Sequence, residues 1–275
     1  MTTIETTAPY LTAVKHNQQR AWASGDYAAV AARIQSIAEL LVDAADLEAG
    51  SSVLDVATGS GNAALAAARS GAIVTGIDYV PTLLERARVR AAAEGFDIEF
   101  VDGDAEALPF ADGSFDAVIS VLGVMFTADQ EAAASELLRI ARPGGTIALA
   151  NWTPSSFVGE MFRTVARHIA PPAGVRSPLQ WGTEPRLVEL LGEGASELLV
   201  RPRTFVFRFR SPDEFVDFFR GNYGPVHTAF SKLDEPGRGA LHRDLAELAT
   251  SHDRSIGPSL AIPSEYLEVV ATRRD

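Results

Sequence analysis

The chain contains no cysteine. Disulfides, thiolate-ligated zinc, iron–sulfur clusters and thiol nucleophiles are therefore all excluded. Lysine is nearly absent as well, with Lys15 and Lys232 the sole examples. No apolar run reaches the ~18 residues that a membrane-spanning helix needs. Basic residues are outnumbered, 24 to 36, and the formal net charge is −12. Such a surface repels nucleic acid and anionic lipid head groups. Residues 1–9 are threonine-rich and lack a basic segment followed by an apolar one, so they do not read as a secretory leader. Together these absences point to a soluble cytoplasmic protein without nucleic-acid binding or stable membrane insertion; a monomer or homodimer is expected. The 275 residues are 47% hydrophobic, enough to build a core without metal or disulfide support.

The most informative stretch runs from Val53 to Asp78. An apolar run (Val53-Leu54-Asp55-Val56) enters the turn Ala57-Thr58-Gly59-Ser60-Gly61. A small-residue helix follows, and a second apolar run closes on Gly76-Ile77-Asp78. Gly59 and Gly61 allow a tight turn and a close backbone approach by a ligand. The helix behind the turn presents free N–H groups at its start. Asp78 stands about 20 residues past the glycines, where a carboxylate can accept from both hydroxyls of a ribose. The glycine pattern suits nicotinamide cofactors and S-adenosylmethionine equally. Asp55 has two readings: it holds the ammonium of a methionine moiety, or it caps the N–H groups of its own turn. Both roles can coexist.

Downstream, the pattern predicts alternating strands and helices. Strands are expected over 53–57, 73–78, 98–101, 115–121 and 146–151, with helices over 62–70, 81–94 and 129–141. Arg142-Pro143-Gly144-Gly145 reads as a tight turn. Continuous apolar strands in this rhythm predict a parallel sheet covered on both faces, with ligands beyond the carboxyl ends of the strands. Gly59, Asp78, Asp104 and Ser120-Val121 all fall there. Residues 1–10 are expected to be disordered, and 11–48 to form two helices broken near Ser24-Gly25-Asp26. Trp22 and Tyr27 flank that break and either cover a cofactor or pack into the core. After Asn151 the rhythm changes. Residues 152–182 and 212–255 read as helical cap segments, 204–209 as a half-exposed strand, and 266–272 as a last strand.

With the segments in place, the chain resembles the class I S-adenosylmethionine-dependent methyltransferases. The resemblance is greatest to the branch with the ubiquinone and menaquinone C-methyltransferases and uncharacterised actinobacterial relatives. It rests on Val53 to Gly61, Gly76 to Asp78, Gly103-Asp104-Ala105-Glu106-Ala107-Leu108-Pro109-Phe110, Phe115-Asp116 and Arg142 to Gly145. One departure is Ala57, where the family often has glycine. The resemblance implies a Rossmann-like α/β fold: a seven-stranded, mostly parallel sheet whose last strand is antiparallel, plus helical cap segments. It divides the chain into an N-terminal helical lid (1–48), a cofactor-binding core (49–151) and a remainder completing the sheet and cap (152–275). S-adenosyl-L-methionine is the implied cofactor and S-adenosyl-L-homocysteine its product. Ala57 to Gly61 would wrap the methionine part, Asp78 hold the ribose, Tyr79 lie against the adenine, and Asp104-Ala105 read its edge.

The acceptor is not specified by any of these motifs. Apolar cap residues (Phe157, Met161, Phe162, Phe215, Phe218, Phe219) favour a lipophilic or aromatic small molecule, or else bury the cap on the sheet. Trp152 walls the acceptor pocket or belongs to the core. An oxygen or nitrogen acceptor benefits from a general base. His168 and His227 lie in the expected cap, and the bend Gly221-Asn222-Tyr223-Gly224-Pro225 aims Asn222 and Tyr223 inward. His227, Tyr223 and His168 are therefore the catalytic candidates. No acidic cluster suggests a magnesium site. Two rival readings remain. A nicotinamide-dependent oxidoreductase would need a Tyr-Lys pair or its equivalent. A non-catalytic protein would keep the fold for cofactor binding alone.

Overall fold

Five strands of consecutive apolar residues set the centre of the fold. Val53, Leu54 and Val56 of β1 (Ser52–Val56) are fully buried, as are Val118 and Ile119 of β4 (Phe115–Val121). Strands with both faces buried need helices on either side. The computed structural model describes residues 8–275. Among these, β1 pairs in parallel with β2 (Ile73–Asp78) and β4, β2 with β3 (Glu99–Asp102), and β4 with β5 (Ala141–Trp152). The edge of the sheet is formed by β6 (Ala195–Phe209) and β7 (Leu260–Arg273). β7 runs antiparallel to both β5 and β6, giving the order β3-β2-β1-β4-β5-β7-β6. The strand order reverses between β1 and β4. A crevice opens there, beyond the carboxyl ends of the strands.

The helices pack where their small residues let them. All of α4 (Asn62–Arg69) except Arg69 is buried, because an alanine face brings helix and sheet close. Pro81 opens α5 (Pro81–Glu94), and Gly95 closes it at φ 76°. Asp129 caps α6 (Gln130–Ile140) by accepting from Ala132 N–H.

Several boundaries differ from expectation. The segment before the sheet holds three helices, not two: α1 (Ala8–Trp22), α2 (Tyr27–Arg33) and α3 (Gln35–Ala45). The second break is a single residue, Ile34, which leaves the helical path at φ −100°, ψ 12°. Disorder was expected over 1–10. Residues 1–7 lie outside the described residues, and 8–10 begin α1. The Arg142 to Gly145 turn is absorbed into β5 as an irregular start, with Gly144 at φ 68°. β6 is longer than 204–209. Its first half is largely exposed and leads into Pro202, which an edge strand tolerates because its outer side needs no ladder bonds.

Beyond β5 the chain builds α7 (Phe157–His168), α8 (Glu184–Leu191), α9 (Pro212–Asn222), α10 (Gly224–Lys232) and α11 (Glu235–Ser251). α7, α9, α10 and α11 cluster together over the crevice end of β5–β7. α1 lies against α10, and α2 against α9.

Candidate functional site

The turn after β1 is organised by two buried carboxylates. Asp78 Oδ2 accepts from Gly59 N–H at 2.8 Å, and its Oδ1 from Val80 N–H at 2.9 Å. Each oxygen keeps a second lone pair. Burial pushes this carboxyl up to about 6, against the pull of those N–H groups. Asp55 Oδ2 accepts from Thr58 Oγ1 at 2.6 Å and from Ala64 N–H at 2.8 Å. It thus caps both the turn and the start of α4, one of the two roles the sequence allowed. Burial pushes its carboxyl up to about 7.

Two non-glycine residues here sit in the left-handed region, Ala57 and Leu122, each at φ 55°. Such strain concentrates at functional sites. At Ala57 the backbone needs a positive φ, the conformation that favours glycine. Gly61 caps α4 at φ 85°, and a Cβ there would come 3.2 Å from Ala87 Cβ. It lets α4 and α5 approach and does not border the cleft. Ser120 turns inward too. Its hydroxyl donates to Val56 O at 2.6 Å and accepts from Val124 N–H at 3.0 Å, tying the ends of β1 and β4 together.

The crevice comprises three adjoining compartments. The first lies between Gly59, Asp78, Tyr79, Asp104 and Ala105 on one side and Lys15, Gln18 and Trp22 of α1 on the other. The second lies along Asp55, Thr58, Asn62 and Val121. The third is walled by Trp22, Phe126, Trp152, Phe207, Phe219 and Tyr223. Tyr27 and Leu122 border all three. The Tyr27 ring lies over the glycine turn, 3.5 Å from the position a Gly59 Cβ would take.

The N-terminal helices roof the crevice. Lys15 Nζ reaches Asp104 Oδ2 at 2.6 Å and Glu106 Oε2 at 2.5 Å. Glu106 Oε1 meanwhile accepts from Ala128 and Asp129 N–H. Gln18 donates to Phe126 O at 3.0 Å, and Gln19 to Tyr79 O. Trp22 meets Phe126, Tyr27 and Tyr223 edge-on, with ring centroids 4.8, 5.4 and 5.5 Å away.

The structure divides the expected site residues. Trp22, Tyr27, Asp55, Ala57, Gly59, Asp78, Tyr79, Asp104, Ala105, Val121 and Tyr223 border the crevice. Trp152 walls the third compartment while remaining almost fully buried. Of the six apolar cap residues, Met161 and Phe219 border it; Phe215 belongs to the core beneath. The two histidines are corrections. His168 Nε2 pairs with Asp244 Oδ2 at 2.8 Å, between α7 and α11. His227 Nδ1 meets Arg220 O at 3.0 Å on the outer side of the α9–α10 bend. Neither borders the crevice, whereas Tyr223, the non-helical residue that precedes α10, does. Asn222 also misses it, donating to Phe218 O.

Sequence reasoning missed Lys15, Gln18, Leu122 and Phe126. Lys15 carried a signal, since a lone lysine in a lysine-poor chain is unusual. Leu122 carried none, because nothing in its side chain announces a positive φ. Among the described residues no group of three or more His, Cys, Asp or Glu is placed to hold a metal. No helix is long and apolar enough to cross a membrane.

Comparison with known proteins agrees with this geometry. Residues 54–149 match the methyltransferase domain family. An uncharacterized protein of Mycobacterium tuberculosis is 40% identical over 278 residues, covering 99% of this chain and 100% of that one. The demethylmenaquinone methyltransferase of Thermus thermophilus is 39% identical over 134 residues, covering 47% of this chain and 61% of that one. Among solved structures, the YcgJ protein of Bacillus subtilis superposes with a TM-score of 0.60 at 18% identity, over 87% of this chain and 99% of that one. The chain belongs to the class I S-adenosylmethionine-dependent methyltransferases, whose methyl donor is S-adenosyl-L-methionine. Within that class it groups with the mycobacterial protein along its whole length.

Proposed function

We propose that this chain transfers the methyl group of S-adenosyl-L-methionine to a small lipophilic or aromatic acceptor held in the third compartment. One observation carries the reading. The apolar compartment meets the glycine-turn compartments at Tyr27 and Leu122. A donor on the turn and an acceptor among the aromatic rings would face each other at that junction. The residues fit the donor. Asp78 keeps lone pairs for two ribose hydroxyls, and no side chain but Tyr27 stands over Gly59. Tyr79 would lie against the adenine, Asp104-Ala105 read its edge, and Ala57 to Gly61 follow the methionine part. Asp55 keeps its capping role and adds negative charge beside the methionine ammonium.

When bound, the donor supplies a sulfonium methyl group that is already reactive. The chain's own task is positioning and exclusion of water. Good alignment of two reactants is worth up to about 7–11 kcal/mol. Residues 8–48 act as the lid: α1 closes over the first compartment, and Trp22 and Tyr27 separate the acceptor from solvent. The test is transfer of labelled methyl from the donor to phenols, quinols and fatty acids. Labelled product with a lipophilic acceptor supports the reading. Labelling confined to charged, water-soluble acceptors contradicts it.

A further inference from the structure

Three arginines lie along α5, and two of them have carboxylate partners. Arg86 pairs with Asp26, and Arg88 with Glu85 at 3.4 Å. Arg90 differs. Its guanidinium is half-buried and, among the described residues, bonds only to neutral oxygens. Nη1 donates to Ser60 O at 2.6 Å and to Asn62 Oδ1 at 2.8 Å, and Nη2 to Gln35 Oε1 at 3.0 Å. Burial pulls its pKa down, against a smaller opposite pull from Glu94. A cation taken out of water this way is costly unless an anion comes near it.

The second compartment is where such an anion would lie. Asp55 is the one charged side chain on its wall, among the described residues. Ser60 and Asn62, the two residues that Arg90 Nη1 holds, both belong to that wall and are buried. Arg90 therefore stands directly behind it. Other elements fix the same spot. Asn62 Nδ2 donates to Ala31 O of α2 at 2.8 Å, and Gln35 Nε2 of α3 to Asn62 O at 3.3 Å. One guanidinium thus joins the glycine turn, the start of α4 and the beginning of α3.

The methionine tail of the donor carries an ammonium and a carboxylate. Asp55 suits the ammonium. No cationic side chain borders the compartment to suit the carboxylate. We infer that Arg90 is a positioning residue for that carboxylate: it holds Ser60 and Asn62 in place and supplies, from behind them, the positive charge that the wall lacks. The inference rests on the methyltransferase reading. Arg90 touches no reacting atom and moves no proton. The N–H groups at the start of α4 carry only partial charges, and Arg90 adds a full one behind them. A full charge acts over several ångströms and does not need to touch the ligand.

The test compares S-adenosylhomocysteine with its decarboxylated analogue, which keeps the adenosine, the thioether and the amine. Calorimetry on the wild-type protein should find the analogue about tenfold or more weaker. Arg90→Met should weaken S-adenosylhomocysteine by a similar factor and leave the analogue within about twofold, because the two deletions remove one shared interaction. A purely structural role for Arg90 would weaken both ligands alike. Equal loss for both ligands, or unchanged S-adenosylhomocysteine affinity in Arg90→Met, overturns the inference and leaves the methyltransferase reading standing. Equal affinity of the wild-type protein for the two ligands does the same, and that comparison needs no variant to fold. Failure of the wild-type protein to bind S-adenosylhomocysteine overturns both.

Discussion

Lys15 of the first helix sits 2.6 Å from Asp104, a residue of the loop after the third strand. The pair joins the roof of the crevice to its floor, and Glu106, almost buried, shares the same ammonium.

Lys15→Met should therefore loosen the roof. Exposed ion pairs are worth about 0.2–1 kcal/mol, so S-adenosylhomocysteine dissociation should quicken by about fivefold or less. Raising salt should quicken the wild-type protein but hardly affect the variant. Stopped-flow competition measures both. An unchanged rate would mean that α1 does not gate the crevice.

Asp78 gives a sharper expectation. Asp78→Ala removes two prospective hydrogen bonds to the ribose, each charge-assisted and worth about 1.5–3 kcal/mol. Affinity should fall by roughly 100-fold or more. In the wild-type protein the carboxyl titrates at about 6, and ribose hydroxyls donate to its ionised form. Affinity should thus weaken as pH drops through 6, and binding near that pH should release protons. Calorimetry in two buffers of different ionisation heat detects the release. Proton uptake would contradict this role.

Stability should show an acid-side optimum without ligand. Asp55 and Asp78 have folded values of about 7 and 6 against an ordinary 3.8. The folded state holds these protons more tightly, so their contribution is complete below 3.8 and is lost as pH rises through 6 and 7. Asp116 works the other way. Hydrogen bonds from Ser52, then Arg142, hold it near 2, so its contribution is present above 3.8 and lost as pH falls through 2. The ligand-free protein should melt at a higher temperature near pH 5 than near pH 8. Asp55→Ala, which strands Ala64 N–H and Thr58, should cost about 1–3 kcal/mol in denaturant melts.

Gly224 lies where the proposed lid meets α10. A Cβ there would fall 2.0 Å from Ala21 O, a backbone atom of α1. Gly224→Ala should push α10 away from the lid and expose Trp22 and Tyr223. Faster hydrogen exchange over 18–27 with unchanged exchange in β1 and β4 is the expected pattern. Unchanged exchange over 18–27 would show that the lid does not need this contact.

What was legible in the sequence follows a physical line. The place of Gly59, Asp78 and Asp104 at the crevice was legible because a glycine turn and carboxylates at strand ends are local features. Tyr223 was legible because glycines and a proline around it force a bend. His168 and His227 were nominated by their chemistry alone, while packing decides which way a side chain faces: one pairs with Asp244, the other meets Arg220 O. The first half of β6 was unreadable since an edge strand with Arg201, Pro202 and Arg203 has no apolar alternation to display. The Lys15 tie was unreadable because its partners, Asp104 and Glu106, lie about ninety residues away, a distance set by the fold and not by any motif.

The most direct test is calorimetric titration of the protein with S-adenosylhomocysteine, beside NADH and with Asp78→Ala as control. The account predicts binding of the homocysteine compound in the micromolar range, none of NADH, and loss in the variant. Binding of NADH alone, or S-adenosylhomocysteine binding that Asp78→Ala leaves untouched, would contradict it.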